Sequence, residues 1–363
     1  MNIGAGLVLL VALFCFATIE LSRKEGGRRQ TDEKFLIGGD ISALAKMEEL
    51  GALYRDGGLK QDAIQIMRRY GANCFRLRIF VNPKGEGFVV NDLTYTIALA
   101  KRIKSSGAKF LINFHYSDTW ADPKQQIKPK AWSDLTFNEL AEQVGNYTRD
   151  CLQAMKREGI LPDFVQPGNE ITGGFLWDDG RLDGSEVQWE KFVKLLSSAI
   201  KAIRETSPQA KVIVHIDRGG DWQATHWFFE NLERRKVDYD IIGLSYYPFW
   251  HGSIERLREN LNRTAKRFRK PIFIVETASP NRPTWLPSEI EWEQSPQGQL
   301  DFLRELVKVV KETPNGLGIG VLWWFPESVP VPKAKVWWGG AMALFDERGE
   351  PLPALKAFSE FGS

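Results

Sequence analysis

The sequence predicts an α/β protein built as a single-domain (β/α)8 TIM barrel. Eight short apolar segments follow residue 34, and each is a continuous run, as expected for parallel strands that are covered on both faces. Amphipathic stretches with a helical period separate these segments. Together they occupy about 330 residues, which is the size of such a barrel.

The predicted strands are rich in Val, Ile, Leu and Phe. They are Phe35–Ile41, Cys74–Phe80, Lys109–His115, Phe164–Asn169, Lys211–His215, Ile241–Tyr246, Pro271–Glu276 and Gly318–Trp324. The helical pattern between them includes Gln61–Tyr70, Leu93–Ser105, Phe137–Glu158, Gln188–Thr206, Ile254–Phe268 and Gln297–Glu312. Several of these helices are followed by a glycine, which readily adopts the left-handed conformation that ends a helix.

An open, doubly wound parallel sheet is the alternative fold. It would normally carry a glycine-rich nucleotide loop after its first strand. The spaced glycines Gly316, Gly318 and Gly320 enter the last predicted strand instead. The barrel therefore fits the glycine pattern better than the open sheet.

The composition excludes several classes of protein. The 363 residues are 43% apolar and 26% charged, and 48 Lys and Arg against 46 Asp and Glu give a net charge of +2. These values exclude collagen-like, coiled-coil and wholly disordered chains, and they argue against a nucleic-acid partner. The 13 tryptophans are more than a core needs, because each buried indole N–H requires a partner.

Three segments organise the chain. Residues 1–21 are predicted to be a signal peptide or an N-terminal anchor, because Ile3–Ile19 is apolar, although no Lys or Arg precedes it. Residues 22–34 form a polar linker, and residues 35–363 form the barrel. We therefore expect a secreted, periplasmic or cell-envelope protein. Cys74 and Cys151 are expected to be packed free thiols rather than a disulfide.

Polar and aromatic residues collect where the predicted strands end, which is where a barrel carries its chemistry. The candidate site residues are Asp40, Arg76, Arg78, His115, Asp118, Trp120, Asn169, Glu170, His215, Asp217, Tyr246, Tyr247, Trp250, Glu276, Trp323 and Trp324.

Glu170 and Glu276 end otherwise apolar strands that lie on opposite sides of the barrel mouth. Two facing carboxyl groups suit a retaining glycosidase, in which one is the nucleophile and the other is the acid and then the base. Arg76 or Arg78 beside Glu276 would keep it ionised, while drier surroundings would keep Glu170 protonated. The alternative is that either glutamate belongs to a salt bridge at the rim.

The remaining candidates also have a structural alternative. The four histidines lack metal-ligand spacing, so we expect no metal and no cofactor, and a histidine that contacts a sugar hydroxyl instead. Ser245 lacks the glycine pattern of a nucleophile elbow. The tryptophans at strand ends are interpreted as sugar-stacking platforms rather than core, and Trp177, Trp222, Trp337 and Trp338 as loop residues that extend a groove.

The motifs resemble those of the endo-β-1,4-galactanases of glycoside hydrolase family 53. They are GGDIS (Gly38–Ser42), RLRIF (Arg76–Phe80), FHYSDTWADP (Phe114–Pro123), GNEI (Gly168–Ile171), GLSYYPFWHG (Gly243–Gly252) and VETA (Val275–Ala278), in family order. The resemblance implies retaining endo-hydrolysis of β-1,4-galactan, as in the side chains of pectic arabinogalactan. It also implies Glu170 as acid/base, Glu276 as nucleophile and Asn169 as a contact to the sugar 2-hydroxyl.

The sequence departs from the family in two loops. Some members hold the loops after strands seven and eight with calcium and others with a disulfide, but Ser279–Pro296 and Pro326–Gly340 contain neither Asp nor Cys. These loops are rich in proline instead, which leaves product length and endo or exo action open.

Two functional alternatives also stay open. One is a barrel glycosidase that acts on mannan, glucan or xylan, and the other is a catalytically silent carbohydrate-binding barrel. The expected partner is a neutral polysaccharide, the expected state a monomer, and membrane contact is expected only through an N-terminal anchor.

Overall fold

The computed structural model describes residues 34–362. The predicted signal or anchor at 1–21, most of the linker at 22–34 and Cys15 lie outside the described residues. No helix among residues 34–362 has the length and hydropathy that crossing a bilayer requires.

Eight parallel strands close into a barrel, which confirms the predicted fold. They are β1 (Leu36–Asp40), β2 (Cys74–Ile79), β3 (Lys109–Phe114), β4 (Phe164–Pro167), β5 (Lys211–Ile216), β6 (Ile241–Ser245), β7 (Ile272–Thr277) and β8 (Gly318–Trp324). Each strand pairs with its neighbours in chain order, and β1 pairs with β8 to close the cylinder. The bounds differ from the predicted ones by at most two residues. A separate two-stranded hairpin joins Arg55–Asp56 to Leu59–Lys60.

The helices surround this cylinder. They are α1 (Leu44–Glu49), α2 (Ala63–Arg69), α3 (Leu93–Ser105), α4 (Phe137–Arg157), α5 (Glu186–Thr206), α6 (Trp222–Arg234), α7 (Pro248–His251), α8 (Ile254–Phe268), α9 (Pro296–Lys311) and α10 (Pro353–Lys356). Short 3-10 turns cover Lys130–Trp132, Ile171–Gly173, Pro314–Gly316, Trp337–Gly340 and Ala357–Glu360.

Helix α4 illustrates why these segments become helical. Thr136 is its N-cap and accepts a hydrogen bond from the backbone N–H of Glu139, whose side chain accepts one in return from Thr136. This capping box satisfies backbone donors that a helix end leaves unpaired. Apolar residues at helical spacing, such as Leu140 and Val144, then face the barrel and are buried.

The core has two layers. The inner layer fills the barrel and contains Leu36, Cys74, Leu111, Phe164, Ile213, Ile241, Phe273, Val275 and Leu322. The outer layer lies between strands and helices and includes Cys151. Cys74 and Cys151 are therefore buried free thiols in different layers, as expected. The inner layer leaves the carboxyl ends of the strands to polar residues.

Side-chain amides join the loops that follow β7 and β8. Asn281, in the loop after β7, donates two hydrogen bonds to the loop after β8. Its backbone N–H donates to the Ala341 carbonyl at 2.7 Å, and its Nδ2 donates to the Ala343 carbonyl at 2.9 Å. Gln299 Nε2 donates to the carbonyls of Ser279 (2.9 Å) and Ala343 (3.1 Å). Because both amides are buried, these bonds fix the position of the loops above the cavity.

Candidate active site

A cleft of about 780 Å³ opens at the carboxyl ends of the strands. Nine of the predicted site residues line it, namely His115, Trp120, Asn169, Glu170, Asp217, Tyr247, Trp250, Glu276 and Trp324. Both candidate carboxyl groups therefore face the same cavity.

Glu276 lies in β7 and is 4% exposed. Arg76 Nη1 donates to its Oε1 at 2.7 Å, and the Tyr247 hydroxyl donates to its Oε2 at 3.1 Å. Burial and the charge of Asp40 raise the pKa of Glu276, while the Arg76 charge and the hydrogen bonds from Arg76 and Tyr247 act to lower it. Arg76 and Tyr247 therefore oppose the loss of charge that burial favours.

Glu170 follows β4 in a left-handed backbone conformation (φ 49°, ψ 51°), which is costly for a residue other than glycine. The conformation turns its side chain into the cleft, where the Ser245 hydroxyl donates to Oε1 at 2.7 Å. Burial and then the charges of Glu276 and Asp217 raise the pKa of Glu170 well above its usual value, against the Ser245 bond. A neutral acid is favoured here.

Asn169 lies between the two carboxyl groups. Its Oδ1 accepts from Arg76 Nη2 at 2.8 Å and from Asn113 Nδ2 at 3.0 Å, and its Nδ2 donates to the Ala121 carbonyl at 2.8 Å. One N–H of the Asn169 amide has no protein partner among these bonds. Since Asn169 lines the cleft, that N–H is placed to donate to a bound molecule.

The cleft histidines are held neutral and in one tautomer. His115 Nδ1 accepts from the Ala121 N–H at 3.0 Å, and His251 Nδ1 accepts from the Tyr247 N–H at 3.0 Å. Burial lowers the pKa of His115 well below its usual value and that of His251 to about 4. Their Nε2 atoms therefore carry the hydrogen, and the buried Nε2 of His115 has no partner in the described protein.

Known proteins share this architecture. The family model described as "Glycosyl hydrolase family 53" matches residues 36–358. The chain is 32% identical to an endo-β-1,4-galactanase of Bacillus subtilis over 90% of this chain and 86% of that protein. It is 34% identical to an arabinogalactan endo-β-1,4-galactanase of Cellvibrio japonicus over 89% and 90%. The solved catalytic domain of an Ignisphaera aggregans GH53 protein matches with TM-score 0.84 and 34% identity, over 91% of this chain and 97% of that one.

The chain belongs to glycosyl hydrolase family 53. The resemblance drawn from its motifs is thereby confirmed, and the protein is a glycoside hydrolase.

Four predicted site residues of this family 53 hydrolase lie behind the cleft wall rather than in it. They are Asp40, Arg76, Arg78 and His215, which are buried and do not line the cavity. Arg76 contacts Glu276 as expected, but Arg78 does not. The Arg78 guanidinium instead stacks 4.4 Å from the Trp120 ring centroid, and its Nη1 lies 3.7 Å from Asp40. Arg78 therefore supports the cleft residue Trp120 rather than Glu276.

Tyr246 and Trp323 are corrections to the prediction. Trp323 and Trp324 are successive residues of β8 and therefore point to opposite faces. Tyr246 and Tyr247 lie just beyond the end of β6, where Tyr247 is still extended, and only Tyr247 and Trp324 line the cavity. Tyr246 donates to the Gly252 carbonyl at 2.9 Å, and Trp323 donates to the Met342 carbonyl at 2.8 Å. Both pack in the outer layer against Phe302.

Asp118 and the loop tryptophans also differ from expectation. Asp118 does not line the cleft, because its carboxylate accepts from the backbone N–H groups of Asn82 and Lys130 and holds a loop. Trp222 is the first residue of α6 and lies under Arg263, at 4.7 Å. Four of the eight tryptophans predicted for the groove line the cleft, namely Trp120, Trp250, Trp324 and Trp337.

Sequence reasoning missed several polar residues beside the site. Asn113 and Gln166 interrupt the apolar strands β3 and β4, which is the signal that identifies them as inward-facing polar residues. Ser245 was considered only as a nucleophile, and it serves as a partner of Glu170 instead. Glu327 is a third buried glutamate, beside Asp40 and Arg78, and nothing in its loop sequence marks it.

Proposed function

We propose that this glycoside hydrolase cleaves internal β-1,4 bonds of galactan with retention of configuration, with Glu276 as nucleophile and Glu170 as acid/base. The observation that carries the proposal is the unequal pair of buried carboxyl groups in one cleft. Arg76 and Tyr247 stabilise charge on Glu276, while desolvation and neighbouring charges keep the proton on Glu170.

The first step forms a glycosyl-enzyme. A Glu276 oxygen attacks the anomeric carbon as the glycosidic bond breaks, and Glu170 transfers its proton to the departing oxygen. Glu170 is then a carboxylate, and the Ser245 hydroxyl stabilises its new charge.

The second step releases the sugar. The Glu170 carboxylate takes a proton from water as the water oxygen attacks the anomeric carbon, and Glu276 leaves as a carboxylate that Arg76 stabilises. Both carboxyl groups return to their starting protonation states, so the cycle closes without a cofactor.

Polar donors and indoles in the cleft would position the chain of sugars. The unused N–H of Asn169 would donate to the 2-hydroxyl, and the Nε2–H of His115 to another hydroxyl. Trp324 and the half-exposed Trp250 offer flat apolar faces to sugar rings. Asp217, bound by the Thr172 hydroxyl, offers an acceptor.

Galactan as substrate is supported by the names of the relatives, two of which are called endo-β-1,4-galactanases. A time course on linear β-1,4-galactan with product sizing tests the proposal, with mannan, glucan and xylan in parallel. We expect a rapid fall in chain length before short products accumulate. Exclusive cleavage of another glycan would overturn the substrate, and galactan binding without product would indicate a silent binding barrel.

We also propose that the protein is an exported monomer, with Ile3–Ile19 as its export signal. Fractionation of the producing cells, N-terminal sequencing of the purified protein and its molar mass in solution test this. Cytosolic recovery with an intact N-terminus would contradict export.

A further inference from the structure

We infer that a chain of hydrogen bonds in which every donor and acceptor is fixed joins Arg76 to Glu170, and that it leaves the acid proton of Glu170 on Oε2. This makes Ser245 and His215 positioning residues for the acid/base. The inference deepens the proposed function and rests on Glu170 having that role.

The donor and acceptor of each bond can be assigned starting from Arg76, because a guanidinium can only donate. Its Nη2 donates to Asn169 Oδ1, and the carbonyl of Ala121 fixes the same amide from its other end, since a carbonyl can only accept. Asn113 must then present its NH2 to Asn169 Oδ1, at 3.0 Å, which leaves Asn113 Oδ1 as an acceptor. Gln166 Nε2 donates to it at 2.7 Å.

The tautomer of His215 follows from these donor and acceptor assignments. Its Nδ1 faces the NH2 of Gln166 at 2.9 Å and the backbone N–H of Glu170 at 3.4 Å, and both can only donate. Nδ1 is therefore the unprotonated nitrogen. Burial and the Arg76 charge lower the pKa of His215 well below its usual value, so the ring is neutral and carries its one hydrogen on Nε2.

The last two bonds set the position of the acid proton. His215 Nε2–H donates to Ser245 Oγ at 2.8 Å, so the single hydroxyl hydrogen of Ser245 must go to its other neighbour, Glu170 Oε1, at 2.7 Å. The hydroxyl oxygen of a carboxylic acid is a weaker acceptor than its carbonyl oxygen, so the bond from Ser245 favours Oε1 as the carbonyl oxygen. The acid proton of Glu170 consequently lies on Oε2.

The chain acts on both halves of the reaction. When Oε2 gives its proton to the glycosidic oxygen, the Ser245–Oε1 bond becomes charge-assisted and steadies the carboxylate in the same orientation for water activation. Arg76 is at the other end of the chain and also binds Glu276, so one donor-only group orients both carboxyl groups.

Kinetics of Ser245→Ala on two aryl β-1,4-galactosides test the inference. Phenyl is a poor leaving group that needs the acid, whereas 2,4-dinitrophenyl leaves without it. We expect kcat/KM to fall by about 10- to 100-fold on the phenyl substrate, which is part of the rate enhancement that general acid catalysis usually supplies. On the 2,4-dinitrophenyl substrate we expect a fall of less than about 3-fold. Because the Ser245 bond lowers the pKa of Glu170, the basic limb of the pH profile should also move to higher pH.

Ser207→Ala is the matched control, since Ser207 is equally buried, its hydroxyl has no partner, and it lies beyond the end of α5 outside the cleft. It should leave both substrates and the pH profile unchanged. Equal losses on both substrates in Ser245→Ala, or an unmoved basic limb, would mean a merely structural serine and would overturn the inference.

The tautomer can be measured directly in the wild-type protein, with a variant needed only to assign the signal. The sequence has only four histidines, so ¹⁵N-histidine labelling gives four ring systems, and His215→Gln assigns the one of interest. We expect His215 to be protonated on Nε2 alone across the active pH range. A hydrogen on Nδ1 would refute the inference. Failure of the wild-type protein to hydrolyse any galactoside would instead refute the proposed function and leave the tautomer result standing.

Discussion

The two carboxyl groups of the cleft are buried to a similar degree, yet their surroundings differ in charge. Glu276 receives a guanidinium at 2.7 Å and a phenol at 3.1 Å, whereas Glu170 receives a neutral serine hydroxyl at 2.7 Å and faces the charges of Glu276 and Asp217. Burial raises both pKa values, but only Glu276 has a cation to oppose it. This difference in surroundings supports the proposed roles of Glu276 as nucleophile and Glu170 as acid, with Arg76 as the group that distinguishes them.

Removal of either carboxyl group should have the largest effect and tests whether Glu276 and Glu170 have the two proposed roles. Glu276→Ala and Glu170→Ala should each reduce kcat by at least about 10³-fold on galactan. Added azide separates the roles. With an activated aryl β-galactoside, azide should replace Glu276 and give the α-galactosyl azide, and it should replace the activated water in Glu170→Ala and give the β-galactosyl azide. The opposite stereochemistry would exchange the two assignments.

Arg76→Lys keeps a positive charge beside Glu276 but weakens the difference between the surroundings of Glu276 and those of Glu170. An ammonium cannot hold Asp40, Glu276 and Asn169 at once as the guanidinium fork does. We expect about a 10²-fold loss in kcat/KM. Since Arg76 lowers the pKa of Glu276, the acidic limb of the pH profile should move to higher pH. A lower rate with an unmoved acidic limb would show that Arg76 does not set the charge of Glu276.

Tyr247→Phe removes only the second donor to Glu276. Loss of one hydrogen bond to a charged group is worth about 1.5–3 kcal/mol, so kcat/KM should fall by roughly 10- to 100-fold. Tyr246→Phe is the matched control, because the neighbouring hydroxyl donates to the Gly252 carbonyl behind the barrel wall. Equal losses of activity in the two variants would contradict the assignment of their faces.

Glu327→Gln addresses the third buried glutamate and should have the smallest effect on activity. Burial raises the pKa of Glu327 well above its usual value, which favours the neutral acid in the folded protein. Its contribution to stability is therefore present at low pH and is lost as pH rises through the folded pKa. The glutamine variant cannot ionise, and its Tm should fall less steeply than that of the wild type as pH rises above the usual pKa of a glutamate. Parallel Tm curves would show that Glu327 is already ionised.

Much of the site was predictable because strand ends of a barrel share one mouth. The alternation of apolar strands and helices predicted β1 to β8, and the polar residues that follow them predicted Glu170, Glu276, Asn169 and His115 in one cleft. Two of the errors share a cause: Tyr246/Tyr247 and Trp323/Trp324 are adjacent in sequence, and composition does not say which member faces inward. The path of the backbone in the closed barrel decides that, as the register of β8 against β1 does for the two tryptophans.

The sequence by itself determined the barrel, its family and the two carboxyl groups, because these depend on local periodicity and on motifs that lie within single segments. Only the tertiary structure decided which of the two arginines, Arg76 or Arg78, reaches Glu276. Arg76 and Glu276 are 200 residues apart and meet only when the barrel closes. The tertiary structure also decided which group donates and which accepts in each hydrogen bond between Arg76 and Ser245, by way of Asn113 and Gln166. These assignments depend on all the partners that surround a group in space rather than on its neighbours along the chain.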